Sequence, residues 1–303
     1  MILGVATTTV AAIACSHGWD SYDPRLGTAS ASGAGGGSEQ SSTTTVGAST
    51  GTTSSVAASS GGAGVGGADS GPPTYPEIIL ADAPLAYWRF GEAHGQTIAD
   101  AVGQHSGAAS RSGLTYGVPG IVEGDTAIAF DGDQGRILVA DAWDFEGQSP
   151  YSFEVWIKLT PNDSSFSRIL AKEQSGNPRQ GYIFIASDRG DAGLPSIAME
   201  RWVDGDKVLH NVFTGAIDST KWTHVVARYD GALSEIFING VSVISNAPSV
   251  DAGLVPNTGV LTLGAGNAGG SPFSGTMDEL AIYGRALSNT EIERHYKAGS
   301  AGQ

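Results

Sequence analysis

The sequence predicts an all-β protein in which two antiparallel sheets pack as a sandwich, with one short C-terminal helix and a disordered linker before the folded part. Three observations support this fold class. Residues 222–245 alternate between apolar and polar side chains around an Asn-Gly pair, short strand signals recur through the C-terminal part, and residues 27–73 carry almost nothing that could pack.

The stretch from Trp222 to Ser245 contains the strongest strand pattern. Period-2 alternation of β-branched and aromatic residues predicts a strand with one buried face. One face carries Thr223, Val225, Ala227 and Tyr229, and the other face carries His224, Val226 and Arg228. Asn239-Gly240 then separates two apolar runs and favours a two-residue type I′ turn. Three strands of this size cannot bury their apolar face alone, so a second sheet is required.

Strand signals separated by turn residues continue along the chain and favour an antiparallel jelly-roll sandwich over a parallel sheet. They occur at Ala86–Phe90, Ala127–Phe130, Arg136–Ala140, Ser152–Leu159, Arg168–Lys172, Gly181–Ala186, Ser196–Trp202, Val208–Phe213, Val260–Leu263 and Thr276–Tyr283. The segment Thr97–Tyr116 contains several glycines and is predicted to be loop-rich.

One helix is predicted near the C-terminus. Ser288 and Glu291 form a capping box, Leu287 and Ile292 are spaced for a hydrophobic staple, and Gly299 can end the helix. We expect it to seal an edge of the sandwich.

The first 73 residues differ in composition from the rest. Residues 1–26 form a signal- or lipobox-like segment, because an apolar run of small residues ends in Ala12-Ile13-Ala14-Cys15. This run resembles a bacterial lipobox, with Cys15 as the lipidated residue; the alternative is an N-terminus that is merely disordered. Residues 27–73 form a disordered linker of Gly, Ser, Thr, Ala and Val. Residues 74–303 are expected to be the jelly-roll domain.

The charge balance excludes some partners. The formal net charge is -15, so binding to nucleic acid or to an anionic membrane surface is disfavoured. The excess of carboxylates suits a divalent cation. With Cys15 as the single cysteine, no intrachain disulfide can form.

Eight ordered motifs together resemble a known family. They are Tyr87-Trp88-Arg89-Phe90-Gly91-Glu92, Asp100 with Gly103, Ala129-Phe130-Asp131-Gly132, Ser152-Phe153-Glu154-Val155-Trp156-Ile157-Lys158, Trp222-Thr223-His224-Val225-Val226 with Tyr229-Asp230-Gly231, Ile238-Asn239-Gly240, Gly275-Thr276-Met277-Asp278-Glu279-Leu280, and Tyr283-Gly284-Arg285-Ala286-Leu287-Ser288. This order is similar to laminin-G-like jelly-roll domains of the concanavalin A-like lectin/glucanase superfamily. The resemblance implies two antiparallel sheets, a concave face and often one bound calcium.

The resemblance also implies where Ca²⁺ would bind. The matching positions are Asp100 and Asp278, with carbonyl groups of the loop from Gly103 to His105 as further ligands. The chain has Asp100-Ala101-Val102-Gly103-Gln104 where the family usually has D-x-S-G-N, and it therefore offers fewer side-chain oxygens. The alternative is that Asp278 only accepts backbone hydrogen bonds at the start of a strand.

Sugar binding needs exposed aromatic side chains beside polar groups. Trp156 alternates with Val155 and Ile157 and is expected to line the concave sheet. A second candidate set is Trp202 with its neighbours Arg201 and His210, although Trp202 could instead pack at an edge. Trp88 and Trp222 are expected in the core.

Glycoside hydrolysis is disfavoured. The resembled glucanases place their acids as E-x-D-x-x-E on one strand, and retaining cleavage needs two carboxyl groups about 5–5.5 Å apart. Here Glu154 is followed by Trp156 and Lys158, so the pair is lost.

The sequence therefore predicts a non-catalytic binding module for glycan or an extracellular protein. It would be exported and presented on a flexible tether, anchored in an outer membrane or at the cell surface. The alternatives are a structural or adhesion surface protein without sugar specificity, or a divergent glycoside hydrolase.

Overall fold

The computed structural model describes residues 71–160, 166–174, 180–187, 195–203, 207–213, 217–246 and 253–301. The predictions for Cys15 and for the linker up to residue 70 lie outside the described residues.

The described elements are two α-helices, sixteen strands and one 3-10 helix at Asn267–Gly269. The helices are α1 (Tyr75–Ala81) and α2 (Asn289–Ser300). The strands are β1 (Ala86–Trp88), β2 (Thr97–Ile98), β3 (Gly107–Ala109), β4 (Leu114–Pro119), β5 (Thr126–Asp131), β6 (Ile137–Leu138), β7 (Tyr151–Leu159), β8 (Ser167–Gln174), β9 (Gln180–Ser187), β10 (Ser196–Val203), β11 (Lys207–Phe213), β12 (Thr223–Tyr229), β13 (Ser234–Ile238), β14 (Val241–Asn246), β15 (Thr262–Leu263) and β16 (Ser274–Tyr283).

Two antiparallel eight-stranded sheets form the sandwich. Sheet A has the order β14-β13-β12-β7-β16-β5-β4, with β1 also paired to β16. Sheet B has the order β11-β10-β9-β8-β15-β6-β3-β2. The predicted fold class, an all-β jelly-roll sandwich with a C-terminal helix, is confirmed.

The central strands of sheet A are buried on both faces. Alternate residues of β12, namely Val225, Ala227 and Tyr229, face sheet B in a central core between the two sheets. The intervening Val226 lies in an outer core between sheet A and the helices, which also contains Ile79 of α1 and Ile292 of α2. The prediction of one buried face for β12 is therefore wrong, because the two helices cover the side expected to face solvent.

The predicted hairpin is confirmed. Ile238 pairs directly with Val241 across Asn239-Gly240. Both turn residues have positive φ, 51° for Asn239 and 79° for Gly240, as a type I′ turn requires.

The helices depart from the prediction in two ways. The capping box of Ser288 and Glu291 is present, but α2 packs on the outer face of sheet A rather than at an edge, and Gly299 lies inside the helix. The helix α1 was not predicted. It has its own capping box, formed by Thr74 and Glu77, which is the sequence signal that could have revealed it.

The segment Thr97–Tyr116 is less irregular than predicted. It contains β2, β3 and the beginning of β4, which extend the edges of the two sheets. Of these strands, β2 and β3 are only two and three residues long, with the sequences Thr-Ile and Gly-Ala-Ala. Runs this short carry too few β-branched and aromatic residues to give a strand pattern.

Candidate functional site

Trp156 is buried under the helices. Its side chain is 1% exposed and belongs to the outer core. The indole Nε1 donates a hydrogen bond to the Tyr75 hydroxyl at 3.0 Å. A Cβ on Gly299 would lie 2.6 Å from the indole ring, so only glycine lets α2 approach this closely. The expectation that Trp156 lines an open concave sheet is thus corrected.

The second predicted set does not share one surface. Adjacent residues of a strand point to opposite faces of the sheet. Trp202 is 3% exposed in a small cluster with Ile183 and Ile185. Arg201 instead turns into the central core, where its guanidinium carbon lies 3.7 Å from the centroid of the Tyr229 ring. Neither side chain is an exposed platform, which corrects that expectation.

His210 lies opposite Arg201 in the register of β10 and β11. Its side chain is outside the described residues, so its predicted ligand role stays a prediction.

Asp100 is saturated by backbone donors. One carboxylate oxygen accepts from the amides of Tyr87 (2.9 Å) and Val102 (3.0 Å), and the other from Gln104 (3.0 Å) and His105 (2.9 Å). Burial tends to raise the pKa of Asp100, but these hydrogen bonds outweigh it and the pKa is lowered. The carboxylate holds the turn around Gly103 and β1 together.

Asp278 and Glu279 occupy an irregularity of β16. The register with β7 shifts between Asp278 and Ala281, and Glu279 has a φ of 54°. Both side chains are fully buried. Asp278 accepts a hydrogen bond from the Ile121 amide at 2.8 Å. The Tyr87 hydroxyl donates to Glu279.

Two carboxylates in one buried place repel each other. Burial, followed by the charge of Glu279, raises the pKa of Asp278 to about 9. Burial likewise raises the pKa of Glu279 to about 7, against hydrogen bonds from Tyr87 and Arg89. Arg89 also pairs with Asp125, whose charge acts on both carboxyl groups.

The predicted calcium set fits this geometry only in part. The second oxygen of Asp278, Oδ1, is buried without a hydrogen-bond partner, and a cation could occupy that position. The Asp100 oxygens already face four N–H donors, which does not suit a ligand. In the described part of the chain, no three His, Cys, Asp or Glu side chains form a group that could hold a metal ion.

A buried chain of carboxylates and imidazoles joins the helices to sheet A. We call the residues Asp82, His295, Glu154 and His224 the buried relay. Glu154 lies 2.7 Å from His224 Nε2 and 2.9 Å from His295 Nδ1, while His295 Nε2 lies 2.6 Å from Asp82. The Tyr283 hydroxyl donates to Glu154 at 3.0 Å.

The Glu154 and His295 side chains of the buried relay stabilise each other's charged forms. Burial opposes ionisation of Glu154, but His295 and His224 outweigh it and the pKa of Glu154 lies well below its usual range. Burial also opposes the charged form of His295, yet Glu154 and Asp82 raise its pKa above the usual value. Glu154, His224 and His295 are fully buried. A substrate cannot reach these three buried side chains. The buried relay instead holds the helices against sheet A, and we call this structural role the clasp.

An open cavity lies at the edge of sheet B. It has a volume of about 310 Å³ and is formed by β3, β6 and the loops that follow β3 and precede β6. The side chains of Ser110, Arg111, Ser112, Gln134, Arg136 and Leu138 line it. Leu138 is 42% exposed. The cavity therefore combines an apolar patch with polar groups on a rigid sheet edge, as small-ligand sites do.

Comparison with protein families identifies the fold. The Laminin_G_3 model, described as Concanavalin A-like lectin/glucanases superfamily, matches residues 131–293. The chain belongs to this superfamily. Among the described residues of this laminin-G-like chain, no helix is both long and apolar enough to cross a membrane.

Solved structures share the fold of this laminin-G-like chain. The binding domain of Paraclostridial Mosquitocidal Protein 1 matches with a TM-score of 0.55 and 16% identity over 72% of this chain and 53% of that one. Domain 4 of AbnA, a GH43 extracellular arabinanase from Geobacillus stearothermophilus in complex with arabinotriose, matches with a TM-score of 0.51 and 19% identity over 70% of this chain and 98% of that one.

A third match is the Trypanosoma rangeli sialidase in complex with 2,3-difluorosialic acid, with a TM-score of 0.52 and 14% identity over 71% of this chain and 33% of that one. The laminin-G-like chain thus spans about half of the mosquitocidal binding domain and a third of the sialidase.

Sequence reasoning missed the buried relay and the cavity. For the relay a signal existed, since Glu154 and His224 both fall on the alternation face opposite the central core in neighbouring strands. For the cavity there was none, because Ser110, Arg111 and Gln134 lie in segments without a periodic pattern.

Proposed function

We propose that this chain is a non-catalytic carbohydrate-binding module whose ligand site is the cavity at the edge of sheet B. The observation that carries the proposal is the lining of that cavity: exposed Leu138 stands beside hydroxyl, amide and guanidinium groups. This combination suits a sugar ring, because its C–H face packs on apolar surface while its hydroxyls need hydrogen-bond partners. The cavity lining contains no aromatic side chain, so Leu138 takes the place of the aromatic platform that the sequence led us to expect.

The family and the solved structures support a binding role. The family model is named for lectins and glucanases together. One matching structure is an arabinanase domain in complex with arabinotriose, and another is the binding domain of a toxin. At these identities the likeness shows the fold alone, so the proposed ligand class rests on this chain's own cavity.

The arrangement of acids supports a role without catalysis. Glycoside cleavage needs a pair of carboxyl groups that flank a bound sugar. Glu154 is engaged by two histidines and a tyrosine under the helices, and Asp278 and Glu279 are fully buried. Turnover of laminarin-type glucans by the wild type, abolished in a Glu154→Gln variant whose circular dichroism spectrum shows that it is folded, would instead support the divergent hydrolase.

The decisive experiment is a binding titration of the full chain against neutral arabinan, xylan and β-glucan oligosaccharides. A Leu138→Ser variant should weaken binding at least fivefold, because it removes the apolar patch under the sugar. Val243→Ser is the matched control, since Val243 is 47% exposed on β14 of sheet A. Equal loss in both variants would contradict a site at the cavity.

The second candidate is a surface adhesion protein without sugar specificity. It would be supported if no oligosaccharide bound to the wild-type chain while an extracellular protein partner did.

Presentation on a tether is part of the proposal and depends on Cys15. The lipobox-like run that ends at Cys15 would give a diacylated N-terminus after export. Mass spectrometry of the mature chain tests this: the lipid should be attached to Cys15, and Cys15→Ala should release the protein from the membrane fraction.

Calcium binding also remains a proposal, with Asp278 as the residue whose free oxygen favours it. A titration of Ca²⁺ against thermal unfolding should raise the melting temperature if the ion binds the folded state. Asp278→Asn should remove that rise, whereas no rise at millimolar Ca²⁺ in the wild type would count against the site.

A further inference from the structure

We propose that the cavity selects anionic carbohydrate, binding a carboxylate or sulfate group through Arg111 and Arg136. This inference rests on the proposed function and adds the ligand class. It goes beyond the family fold, because the arginines belong to loops of this chain rather than to its strand framework.

The pairing of charges sets Arg111 and Arg136 apart from most other bases among the described residues. Those bases lie beside acids: Lys172 contacts Asp141 and Asp144, Arg228 contacts Glu235, Arg285 contacts Glu291, Arg294 contacts Asp82 and Lys297 contacts Glu293. Two further bases stand singly, Arg201 over the Tyr229 ring in the central core and Lys158 on the surface of β7. Arg111 and Arg136 line one cavity and have no carboxylate partner among the described residues. In a chain with a net charge of -15, two unpaired guanidiniums at one place indicate a site for an anion.

The hydrogen bonds inside the cavity leave it rich in donors. The Ser112 hydroxyl donates to the Gln134 side-chain oxygen at 2.7 Å, so the oxygen is occupied and the amide N–H groups remain. The Ser110 hydroxyl donates to the Ser112 carbonyl at 2.8 Å and accepts from the Arg136 amide at 3.1 Å. The Gln134 side-chain oxygen and the Ser110 hydroxyl are thus engaged internally, and the N–H donors of Gln134 and of the two arginines are left for a ligand.

The neighbouring acids do not fill the site. Asp131 accepts hydrogen bonds from the amides of Asp133, Gln134 and Gly135 through one oxygen. This carboxylate fixes the turn that carries Gln134 and leads into Arg136. Asp133 is exposed on the same turn and forms no ion pair with either arginine.

One side of Arg136 packs against the backbone. The residue is half-buried, and its guanidinium lies against Gly269, where a Cβ would come within 2.7 Å of Nη1. Gly269 has a φ of 85°, a conformation that also favours glycine. The planar guanidinium offers parallel N–H donors that match a carboxylate through two hydrogen bonds. Arg111 is exposed and can close on the ligand from the rim.

The same charges argue for an acidic sugar over nucleic acid. Two arginines neutralise one or two negative groups, whereas the remaining acidic surface repels a continuous phosphate backbone. Exposed Leu138 beside the arginines provides a contact for the ring that carries the charge.

The test compares three oligosaccharide probes on the full chain: galacturonate oligomers for a carboxylate, carrageenan oligomers for a sulfate, and uncharged galactan oligomers. We expect at least one acidic probe to bind tenfold or more tightly than galactan, with affinity that falls as NaCl rises from 50 to 500 mM. The stronger acidic probe identifies which anionic group is preferred.

Variants that remove single positive charges test whether the two arginines bind the anionic group. Arg136→Gln and Arg111→Gln should each weaken binding of the acidic probe at least fivefold and weaken galactan binding by a clearly smaller factor, because galactan loses a hydrogen bond while the acidic probe also loses its counter-charge. Lys158→Gln is the matched control, because it removes the same charge from an exposed position on β7. Since Arg111 is exposed, its variant should fold even if Arg136→Gln does not.

Each failure has its own signature. If galactan binds as tightly as the acidic probes and neither arginine variant matters, while Leu138→Ser removes binding, the carbohydrate-binding function stands and this inference is wrong. If Lys158→Gln weakens acidic binding as much as the arginine variants do, the attraction is unspecific and the inference is also wrong. If none of the three probes binds, this inference is wrong, and the titration against arabinan, xylan and β-glucan decides whether the carbohydrate-binding function stands.

Discussion

Glu154 shows how the surroundings of a residue decide its role. In the sequence it lies at the start of a strand that resembles the catalytic strand of glucanases, and it is the only member of the acid series to remain. In the structure it lies on the outer face of β7, between His224 and His295. The carboxylate therefore connects β7 with β12 and α2.

The buried relay should contribute strongly to stability. Glu154→Gln removes the negative charge that compensates His295 and disrupts a buried, hydrogen-bonded pair, so we expect a loss of about 3–5 kcal/mol in the free energy of unfolding. Urea denaturation followed by circular dichroism measures it. Glu146→Gln is the control, because Glu146 is exposed; a loss of under 1 kcal/mol in both variants would contradict the clasp.

Asp278 should make the protein less stable at alkaline pH. Its pKa is about 9 in the folded state against about 3.9 for an ordinary Asp. The folded state therefore holds the proton that the unfolded state has released, and the free energy of unfolding falls as pH rises between these values, by about 1.4 kcal/mol per pH unit for one group. Glu279, with a pKa of about 7, acts in the same direction.

The measurement is urea unfolding at pH 5.5 and 8.5 in the presence of a chelator. Asp278→Asn cannot ionise and should show a smaller fall over this interval than the wild type. His295 adds to the fall in both proteins, because its pKa is raised and its ion pair is lost as pH rises through that value. An unchanged slope in the variant would show that Asp278 is ionised in the folded protein.

At the scale of elements, the sequence predicted a turn and a helix cap that depend only on residues close together in the chain. The Asn239-Gly240 turn and the capping box at Ser288 depend on neighbouring residues alone, and both are confirmed. The side on which α2 packs depends on contacts with β7 and β12, which no local pattern encodes. For the same reason the burial of Trp156 could not be predicted: alternation showed that it faces away from Val155, but not that helices cover that face.

Gly299 illustrates an element contact that outweighs intrinsic propensity. Alanine favours a helix over glycine by about 1 kcal/mol, yet a Cβ at this position would meet the Trp156 indole at 2.6 Å. We expect Gly299→Ala to lower the free energy of unfolding by about 1–3 kcal/mol through overpacking. Ser300→Ala, one residue further along α2, is the control and should change stability by less than 1 kcal/mol.

At the scale of the whole molecule, sheet A is shared by two cores. The central core contains Trp88 and the outer core contains Trp156. Because both cores use the same strands, we expect them to unfold together. Trp88→Phe and Trp156→Phe variants, followed by tryptophan fluorescence in urea, should each show a transition that coincides with the circular dichroism signal of the same variant. Separate midpoints would mean that the helices detach before the sandwich unfolds.

The strand framework of the molecule was predictable from the sequence, whereas the cavity was not. The strand framework follows from hydrophobic alternation, and most of its strands were predicted from it. The cavity depends on loops before β4 and β6, where Arg111 and Gln134 come together only because β3 and β6 pair. The β3 side of that pairing is the short run Gly107–Ala109, which leaves no periodic signal in the sequence.

The pairing of β1 with β16 and the contact of α1 with α2 bring the beginning and the finish of the folded region side by side. A region closed in this manner can be spliced into a surface loop of an unrelated carrier, since its two junctions need only a narrow gap in the host. It should also tolerate circular permutation, with a short peptide joining the old ends and new ones opened elsewhere.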